Sequence, residues 1–293
     1  METEQTRRQR LYRVSAIVLK RRDQGEADRL LTVFTRDRGK LTLLAKGVRR
    51  PASRKAGHIE PFTAVDLLVA KGKSLDLVTQ AETTVAHRAL REDLWRSTWA
   101  YYVAELADAF TVDEDPQALL FELVAETLDR LNRGEDPSLT VRYYELHLLG
   151  LVGYQPQLFR CVACDALLQP EVNFLSIARG GALCPRHGAH VADAIALPVN
   201  VLKVLRYLQT RDWPQVAQLQ LSPQIGSQLE TVLARYIVYH LDRTLRSAAF
   251  LNRLRRALAN GQMGDPVRGQ GDESVNSEAA NRAGAVRGSD ADS

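Results

Sequence analysis

The chain has few cysteines and no long apolar segment. It contains three cysteines in 293 residues, and aromatic residues make up 6%. No apolar run is long enough for a membrane span, and no charged-then-apolar leader for secretion is present. These absences predict a cytoplasmic protein without a membrane partner, in which thiols stay reduced and free to bind metal. No Gly-rich phosphate loop of the Walker type occurs either, so ATP use has no support.

All three cysteines lie within one short stretch. Cys161 and Cys164 form a C-x-x-C pair, and after nineteen intervening residues Cys184 begins a C-x-x-H sequence that ends at His187. Two such knuckles about twenty residues apart match the ligand spacing of a structural zinc ribbon. These four side chains fill the shell, and a closed tetrahedral site stabilises structure rather than performing chemistry. The stretch therefore predicts structural Zn²⁺.

Two alternatives remain open for this stretch. His190 lies three residues beyond His187 and offers an equivalent nitrogen as the fourth ligand. The other interpretation is a set of reduced cysteines in the core with two histidines in loops. We favour zinc, because isolated cysteines rarely pair in this way in a chain with so few of them.

The basic charge is concentrated at the N-terminal end of the chain. The net charge is +4, but residues 1–60 contain sixteen Lys or Arg and only seven Asp or Glu. Residues 261–293 instead contain three Arg and six acidic residues. A local surplus of nine positive charges indicates a polyanionic partner, whereas a surface that serves only solubility usually mixes the two signs more evenly.

The first eighty residues predict a small closed barrel. Five short segments of strand-like pattern end at turn residues, and helical patterns begin only afterwards. In the first segment Val14, Ala16 and Val18 are on one face, and Ile17 and Leu19 are on the other. The predicted strands are residues 12–19, 29–35, 40–46, 62–70 and 75–79. We therefore predict an α+β fold with an N-terminal five-stranded OB-type β-barrel followed by an α-helical domain that carries a zinc ribbon.

The predicted barrel has many cations and few rings. Residues 46–55 contain five cations and no acid. OB barrels bind single strands by laying the phosphate backbone along a cationic groove and stacking bases on aromatic rings. Phe34 and Phe62 are expected in the core, so electrostatic binding with a steep salt dependence is favoured over base reading. The candidate DNA-binding residues are Lys20, Arg21, Arg22, Arg36, Arg38, Lys40, Lys46, Arg49, Arg50, Arg54 and Lys55.

The remaining patterns predict helices. Residues 94–110 have an apolar stripe of helical period, and the pairs 115–116, 136–137 and 222–223 indicate N-caps followed by a first-turn proline. The longest helix is expected to begin at Ser222 and to continue past Leu245. Its C-terminal end carries arginines that suit a soluble surface, DNA or an acidic peptide equally well. His147 is expected in a core or solvated role rather than as a metal ligand.

These patterns divide the chain into three parts. Residues 1–82 are the predicted OB-fold DNA-binding domain. Residues 83–260 are the predicted helical domain, with the zinc ribbon inserted at residues 159–190. From Gly261 onward large apolar residues are almost absent, so residues 261–293 cannot bury enough surface to fold and are predicted to be a disordered tail.

Several motifs together resemble the RecO family of bacterial DNA repair and recombination mediators. The N-terminal motifs are AIVL at 16–19, GEADRLLTVFT at 25–35, GK at 39–40, AKGVRR at 45–50 and EPF at 60–62. The later motifs are YYEL at 143–146 with Leu149, and GYQP at 153–156 followed by Cys161 and Cys164. They cover most of residues 13–190 in the order of the family, which is far more specific than any one motif.

The resemblance implies an N-terminal OB domain, a helical domain and, in many members, a zinc module. It implies binding of single- and double-stranded DNA, annealing of complementary strands and a cytoplasmic, nucleoid-associated location. It also implies partnership with RecR and with single-stranded-DNA-binding protein, so that recombinase is loaded onto coated strands. Many zinc-bearing members have Cys at the position of His187, where this chain departs from the family, and histidine is an acceptable zinc ligand.

Two other classes of function compete with a non-catalytic DNA-binding mediator. A zinc deaminase needs an H-x-E motif together with P-C-x-x-C, and a two-metal nuclease needs clustered carboxylates. The chain has neither combination, so a zinc-dependent nucleic-acid enzyme is the less favoured alternative, and no small-molecule substrate is expected. A zinc-stabilised scaffold whose barrel contacts protein instead of DNA is the main alternative, and it predicts little salt-sensitive affinity for DNA.

Overall fold

A computed structural model describes residues 10–259, so the predicted disordered tail lies outside the described residues. The N-terminal part is a closed barrel with the strand order β1-β2-β3-β5-β4. Its strands are β1 Leu11–Gln24, β2 Asp28–Thr35, β3 Gly39–Ala45, β4 Ala64–Ala70 and β5 Asp76–Val85. Strands β3 and β5 pair in parallel, and all other neighbours are antiparallel. The predicted five-stranded barrel followed by helices is confirmed.

The two faces of β1 enter two different cores, as its alternation predicts. Val14, Ala16 and Val18 point into the barrel. Ile17 and Leu19 instead pack with the helices. Such a division arises because successive side chains of a strand point to opposite faces, and it lets one strand serve both the barrel and the domain that covers it.

Strand β5 ends six residues later than the sequence pattern predicted. The pattern ended at Thr79, whereas the strand continues to Val85. Most side chains after Thr79 are polar and exposed, so no apolar alternation indicated a strand there. Pairing with β4 extends this part of the strand regardless of its composition.

The helical domain contains nine helices in the described part of the chain and a small antiparallel sheet. The helices are α1 Ala89–Glu92, α2 Leu94–Phe110, α3 Ala118–Arg133, α4 Pro137–Leu151, α5 Pro185–Gly188, α6 Val199–Thr210, α7 Trp213–Val216, α8 Pro223–Leu241 and α9 Arg246–Ala259. The sheet has the order β7-β6-β8, with β6 Asn173–Ser176, β7 Gly181–Leu183 and β8 Ile195–Leu197. Within residues 10–259, none of the helices combines the length and apolar character that crossing a membrane requires.

Two of the three predicted N-caps are confirmed, and one is wrong. The side chain of Asp136 accepts a hydrogen bond from the amide of Ser138 at 2.8 Å, and Ser222 accepts one from Ile225 at 3.3 Å. Helix α3, however, begins at Ala118 rather than directly after Asp115. The segment before α3 is not helical, because its backbone pairs with strand β3 of the barrel.

That pairing depends on close backbone contact at Gly39. The amide of Glu114 donates to the carbonyl of Lys40 at 3.0 Å. Gly39 has a φ of +66°, and a Cβ on it would lie 2.1 Å from the carbonyl oxygen of Asp115. Only glycine tolerates both conditions, so the residues that the sequence assigned to a helix start instead hold the helical domain to β3.

The predicted helix through Leu245 is also wrong, since α8 ends at Leu241. Asp242 adopts the left-handed conformation with φ of +49°, and α9 begins at Arg246. The first amides of α9 have a partner distant in sequence: the carboxylate of Glu105 accepts from Arg246 at 3.0 Å and from Ser247 at 2.8 Å. This side-chain cap fixes a new helix start, which the local sequence pattern did not indicate.

One hydrophobic core joins the helices, the outer face of the barrel and the cysteine-containing segment. Phe34 and Phe62 are each at most 1% exposed and lie in this core, which confirms that they are not exposed stacking surfaces. Cys161 and Leu183 belong to the same core. Among the described residues, 10–251 belong to one compact unit.

Candidate metal site and nucleic-acid interface

The four predicted metal ligands converge on one point. One ligand atom from each of Cys161, Cys164, Cys184 and His187 lies within 4.8 Å of all the others. Nδ1 of His187 lies 3.2 Å from Sγ of Cys184 and 3.8 Å from Sγ of Cys161. His190 is exposed and is not part of this cluster, so the structure brings His187 to the fourth position.

Local backbone hydrogen bonds shape both knuckles. In the first, the amide of Asp165 donates to the carbonyl of Cys161 at 2.8 Å, and Asp165 has a φ of +57°. In the second, Cys184 directly precedes α5, so the amide of His187 donates to the carbonyl of Cys184 at 3.0 Å. Each turn therefore directs two donor side chains to the same side, which the C-x-x-(C/H) spacing predicts.

Residues 157–197, hereafter the metal module, close around the small sheet. The amide of Val162 donates to the carbonyl of Ala182 in β7 at 2.9 Å, which joins the first knuckle to the hairpin. A Cβ on Gly181 would lie 2.7 Å from the carbonyl oxygen of Gln157, and one on Gly188 would lie 2.5 Å from Cβ of Phe174. Both glycines are thus needed for the strands and the second knuckle to pack closely.

The electrostatic environment of Cys161 favours metal binding. Burial opposes ionisation of this thiol, but hydrogen bonds from the backbone of Cys184, Ala163 and Cys164 outweigh burial and lower its pKa to about 6. The thiolate is the form that ligates metals. Three sulfurs and one imidazole nitrogen in a closed arrangement fit a tetrahedral metal ion, so the cluster can hold one.

Lys40 is placed inside the protein rather than on an open surface. Its side chain is 12% exposed, and its ammonium donates to the backbone carbonyls of Asp108 and Thr111, each at 2.8 Å. The carboxylates of Asp108 and Asp113 lie 3.3 and 3.6 Å away. Lys40 therefore connects β3 of the barrel to the C-terminal end of α2.

Lys55 is also held by backbone groups. Its ammonium donates to the carbonyl of Val78 at 2.8 Å and to that of Lys46 at 3.3 Å. Burial lowers the pKa of Lys55. These contacts fasten the connection between β3 and β4 to the beginning of β5, so Lys55 shapes the basic segment more than it extends its surface.

Four other candidates form ion pairs at the surface. Lys20 lies 2.7 Å from Asp108, Arg36 lies 3.1 Å from Glu122, and Arg49 lies 3.4 Å from Asp23. Arg21 pairs with Glu60. Such partly exposed pairs contribute roughly 0–1 kcal/mol each, so exchanging a carboxylate for a phosphate would cost little.

The remaining candidates are exposed. Arg38 lies over the ring of Tyr12, with its guanidinium carbon 4.5 Å from the ring centroid. The other four have no ion pair and no side-chain hydrogen bond in the described part of the chain; they are Arg22, Lys46, Arg50 and Arg54. We call these four the open cations. They are free to contact a phosphate backbone without first losing a partner.

The open cations lie around one end of the barrel. Arg22 is near the end of β1, Lys46 follows β3, and Arg50 and Arg54 are in the connection that leads to β4. Two hydrogen bonds tie this connection to the β1–β2 turn: the amide of residue 49 donates to the carbonyl of residue 27 at 2.9 Å, and the amide of residue 47 donates to the carboxylate of residue 28 at 2.7 Å. The fold therefore groups cations that are more than thirty residues apart in sequence.

Sequence reasoning missed a buried polar cluster in the helical domain. Glu145 is fully buried and accepts a hydrogen bond from the hydroxyl of Tyr102 at 2.5 Å, while Arg142 lies 3.1 Å from the same carboxylate oxygen. The signal that could have indicated this cluster is the charged pair Arg142 and Glu145, three residues apart in an otherwise apolar helix. His147 on the same helix contacts the carbonyl of Leu208 at 3.0 Å, which gives it a packing role.

Two family models match the chain. The model described as Recombination protein O N terminal matches residues 9–86, and the model described as Recombination protein O C terminal matches residues 91–249. The boundary between the two matches falls just after β5, where the barrel ends.

Three similar proteins are each named DNA repair protein RecO. The protein from Roseiflexus sp. (strain RS-1) is 42% identical over 253 residues, which cover 86% of this chain and 88% of that protein. The protein from Pelotomaculum thermopropionicum is 37% identical over 258 residues, or 87% of this chain and 99% of that protein. The protein from Bifidobacterium animalis subsp. lactis is 38% identical over 245 residues, or 83% of this chain and 99% of that protein.

Proposed function

The chain belongs to the RecO family of DNA repair proteins, and on this basis we propose that it is a non-catalytic recombination mediator. In this proposal it binds single- and double-stranded DNA and anneals complementary strands. Together with RecR it promotes recombinase loading on single strands coated by single-stranded-DNA-binding protein. It acts in the cytoplasm, at the nucleoid.

The observation that carries the proposal is the group of open cations at one end of the barrel. Arg22, Lys46, Arg50 and Arg54 are exposed and unpaired in the described part of the chain, whereas Lys40 and Lys55 are held within it. Cations without partners neutralise phosphates at the lowest desolvation cost. Neutralising the phosphates of two strands removes the repulsion between them, so annealing requires no catalytic group.

In the same proposal the metal module binds structural Zn²⁺ through Cys161, Cys164, Cys184 and His187. The ion supplies no chemistry, because the four side chains leave no coordination position for water or substrate. Its contribution is to fix the two knuckles, which pack in the core of the helical domain. Zinc is favoured over other ions by three thiolates and one imidazole in a tetrahedral set.

A scaffold without direct DNA affinity is the second candidate. One observation favours it: most of the predicted DNA-binding cations have partners within the protein. If the open cations only keep the surface soluble, the barrel would contact RecR or another protein instead of DNA.

The test changes the open cations together. The variant carries Arg22→Ala, Lys46→Ala, Arg50→Ala and Arg54→Ala, and its binding to labelled single strands of several sequences is measured from low to high salt. We expect weaker binding to all sequences and a log–log salt slope reduced in magnitude by up to about 3, since each single-strand phosphate contact contributes roughly 0.7.

A control variant removes four exposed cations from the helical domain. It carries Arg179→Ala, Lys203→Ala, Arg211→Ala and Arg235→Ala, so its net charge equals that of the test variant. Equal losses in both variants would indicate an effect of total charge, and a loss in the control alone would move the DNA surface to the helices. Wild-type protein without salt-sensitive affinity would support the scaffold.

A further inference from the structure

The exposed rings of this protein lie outside the barrel interior, on the helical domain. Single-stranded nucleic acids are bound by aromatic side chains on which bases stack, in addition to cations that follow the backbone. In the barrel, Phe34 and Phe62 are buried, and Tyr12 is half-buried beneath the guanidinium of Arg38. Tyr154, which follows α4, is 43% exposed, and Tyr239 in α8 is 54% exposed.

Tyr154 lines a cavity beside the barrel, whereas Tyr239 does not line it but contacts the ring of His240, which does. The cavity has a volume of about 540 Å³ and is lined by Lys40 of β3, Phe110 at the end of α2, Tyr154, and His240 and Arg243 at the end of α8. Pockets that take small ligands have volumes of roughly 300–1,000 Å³. Lys40 lies at the start of β3 and the open cation Lys46 directly follows its end, so a single strand that contacts both would run along β3 for roughly 20 Å.

His240 in the wall of the cavity is surrounded by rings, of which Tyr154 and Phe110 also line the cavity. Tyr154 is stacked on the imidazole of His240, with centroids 4.3 Å apart and planes 25° apart. Tyr236 and Tyr239 lie 4.7 and 5.3 Å from the same imidazole. Phe110 continues the series, 6.3 Å from Tyr154. The rings form a broad surface with π faces and edges, of the kind on which a planar heterocycle stacks.

His240 also has an unused polar atom. Its Nε2 is shielded from solvent and has no hydrogen-bond partner within residues 10–259. A buried polar atom without a partner costs free energy, which a base edge in the cavity would recover once the imidazole turns toward it. Burial lowers the pKa of His240, which favours the neutral imidazole over the charged form.

The charges around the cavity permit a phosphate nearby. The carboxylate of Asp108 is neutralised by Lys20 at 2.7 Å and by Lys40 at 3.3 Å. Arg243 is exposed and forms no ion pair in the described part of the chain. A nucleotide with its base in the cavity would thus have one free guanidinium at the rim for its phosphate.

We propose that this cavity binds one unpaired nucleobase of single-stranded DNA, stacked on Tyr154 near the exposed ring of Tyr239, with the adjacent phosphate at Arg243. The inference rests on the proposed DNA-binding function and adds a site that discriminates single strands from duplex. Bases within a duplex are already stacked and paired, so they do not enter the cavity, whereas the open cations contact the phosphates of either form.

The test compares leucine and phenylalanine at the two tyrosines in the full-length protein. Tyr154→Leu with Tyr239→Leu keeps apolar volume but removes both rings, and Tyr154→Phe with Tyr239→Phe keeps both rings. We expect the leucine variant to raise Kd for an oligothymidylate strand about fivefold or more, with Kd for duplex and the salt slope unchanged. The phenylalanine variant should bind as the wild type does.

A second readout locates the contact directly. Ultraviolet crosslinking of a 5-iododeoxyuridine oligonucleotide should label Tyr154 or Tyr239 in wild-type protein. Crosslinks that fall only elsewhere, or leucine and wild-type proteins of equal affinity, would overturn the inference. If leucine retains affinity and an apolar peptide competes with DNA at this cavity, the site binds protein instead. Thermal melts establish that each variant is folded, and the crosslink in wild-type protein decides the inference if the leucine variant is not.

Different results would contradict the base-binding inference and the proposed DNA-binding function. If the cavity binds no base, salt-dependent binding through the open cations remains. The wild type and the leucine variant would then have the same Kd and the same steep log–log salt slope. Failure of the proposed function would instead appear as wild-type protein with no salt-sensitive affinity for any strand.

Discussion

The ammonium of Lys40 lies 2.8 Å from the backbone oxygen of Thr111, the residue at which α2 ends. It lies equally close to the backbone oxygen of Asp108 in the last turn of the same helix. The last carbonyls of a helix have no partner within it and carry partial negative charge, so a cation there stabilises the helix end. Here the cation comes from β3, and one side chain joins the barrel to the helical domain.

We expect Lys40→Met to destabilise the protein by about 2 kcal/mol. The substitution keeps most of the apolar stem but leaves two buried carbonyls without their charged donor, and such hydrogen bonds contribute roughly 1.5–3 kcal/mol each at most. Urea unfolding followed by circular dichroism measures the change. Lys46→Met, only six residues away on an exposed side chain, should change stability by less than about 0.5 kcal/mol. Equal effects of the two substitutions would contradict the role assigned to Lys40.

Removing the metal should destabilise the helical domain as a whole. The knuckle residue Cys161 packs in the same core as the helices, and binding free energy at a structural site is folding free energy. We expect Cys161→Ser to abolish stoichiometric zinc and to lower Tm by roughly 10 °C or more, since a few kcal/mol correspond to that shift in a chain of this size. Metal analysis and calorimetry provide the two measurements.

Two control variants distinguish ligands from neighbours. His187→Cys should retain zinc, because Cys₄ sites are common in structural zinc modules. His190→Ala should also retain zinc and Tm, since His190 is exposed and outside the cluster. If His190→Ala lost zinc while His187→Ala retained it, the fourth ligand would be His190, and its assignment to His187 would be wrong.

Local patterns predicted the parts of the fold that depend on neighbouring residues. The alternation of Val14, Ala16 and Val18 with Ile17 and Leu19 is a property of one strand, and the structure confirms it. The knuckle spacing likewise predicted that the three cysteines converge with a histidine, although the choice between His187 and His190 stayed open until the structure showed His187 in the cluster. The alternating strand residues are neighbours in sequence, and the metal ligands belong to residue types that are rare in this chain. Either property allows a local pattern to predict the contact.

The features that sequence reasoning missed depend on long-range contacts. The cations at 54 and 55 are adjacent in sequence, yet Arg54 is exposed while Lys55 donates to the carbonyl of Val78. Nothing local distinguishes the two. In the same way, the start of α9 is fixed by Glu105, about 140 residues earlier. Composition therefore located the basic end of the barrel, but only the fold separates structural cations from open ones.

Stability should depend on pH through the buried carboxyl group of Glu145. Burial raises the pKa of Glu145 from 4.5 to about 7, against the lowering effect of Arg142 and of the Tyr102 hydroxyl. Between pH 4.5 and 7 the folded protein therefore binds more protons at this site than the unfolded chain. Stability from this group is greatest at low pH and declines as pH rises through the window. The total change corresponds to about 3 kcal/mol.

The measurement is the difference in unfolding free energy between wild type and Glu145→Gln from pH 5 to 7.5. Glutamine keeps an acceptor for Tyr102 but does not titrate, so the wild type should lose stability relative to the variant as pH rises. Burial lowers the pKa of His87 and of His147, which by itself makes the protein less stable as pH falls below about 6.5. Both histidines are present in both proteins, so their contribution cancels in the difference. Parallel profiles would show that Glu145 stays ionised beside Arg142 throughout, and the buried cluster would then be a permanent ion pair rather than a titrating one.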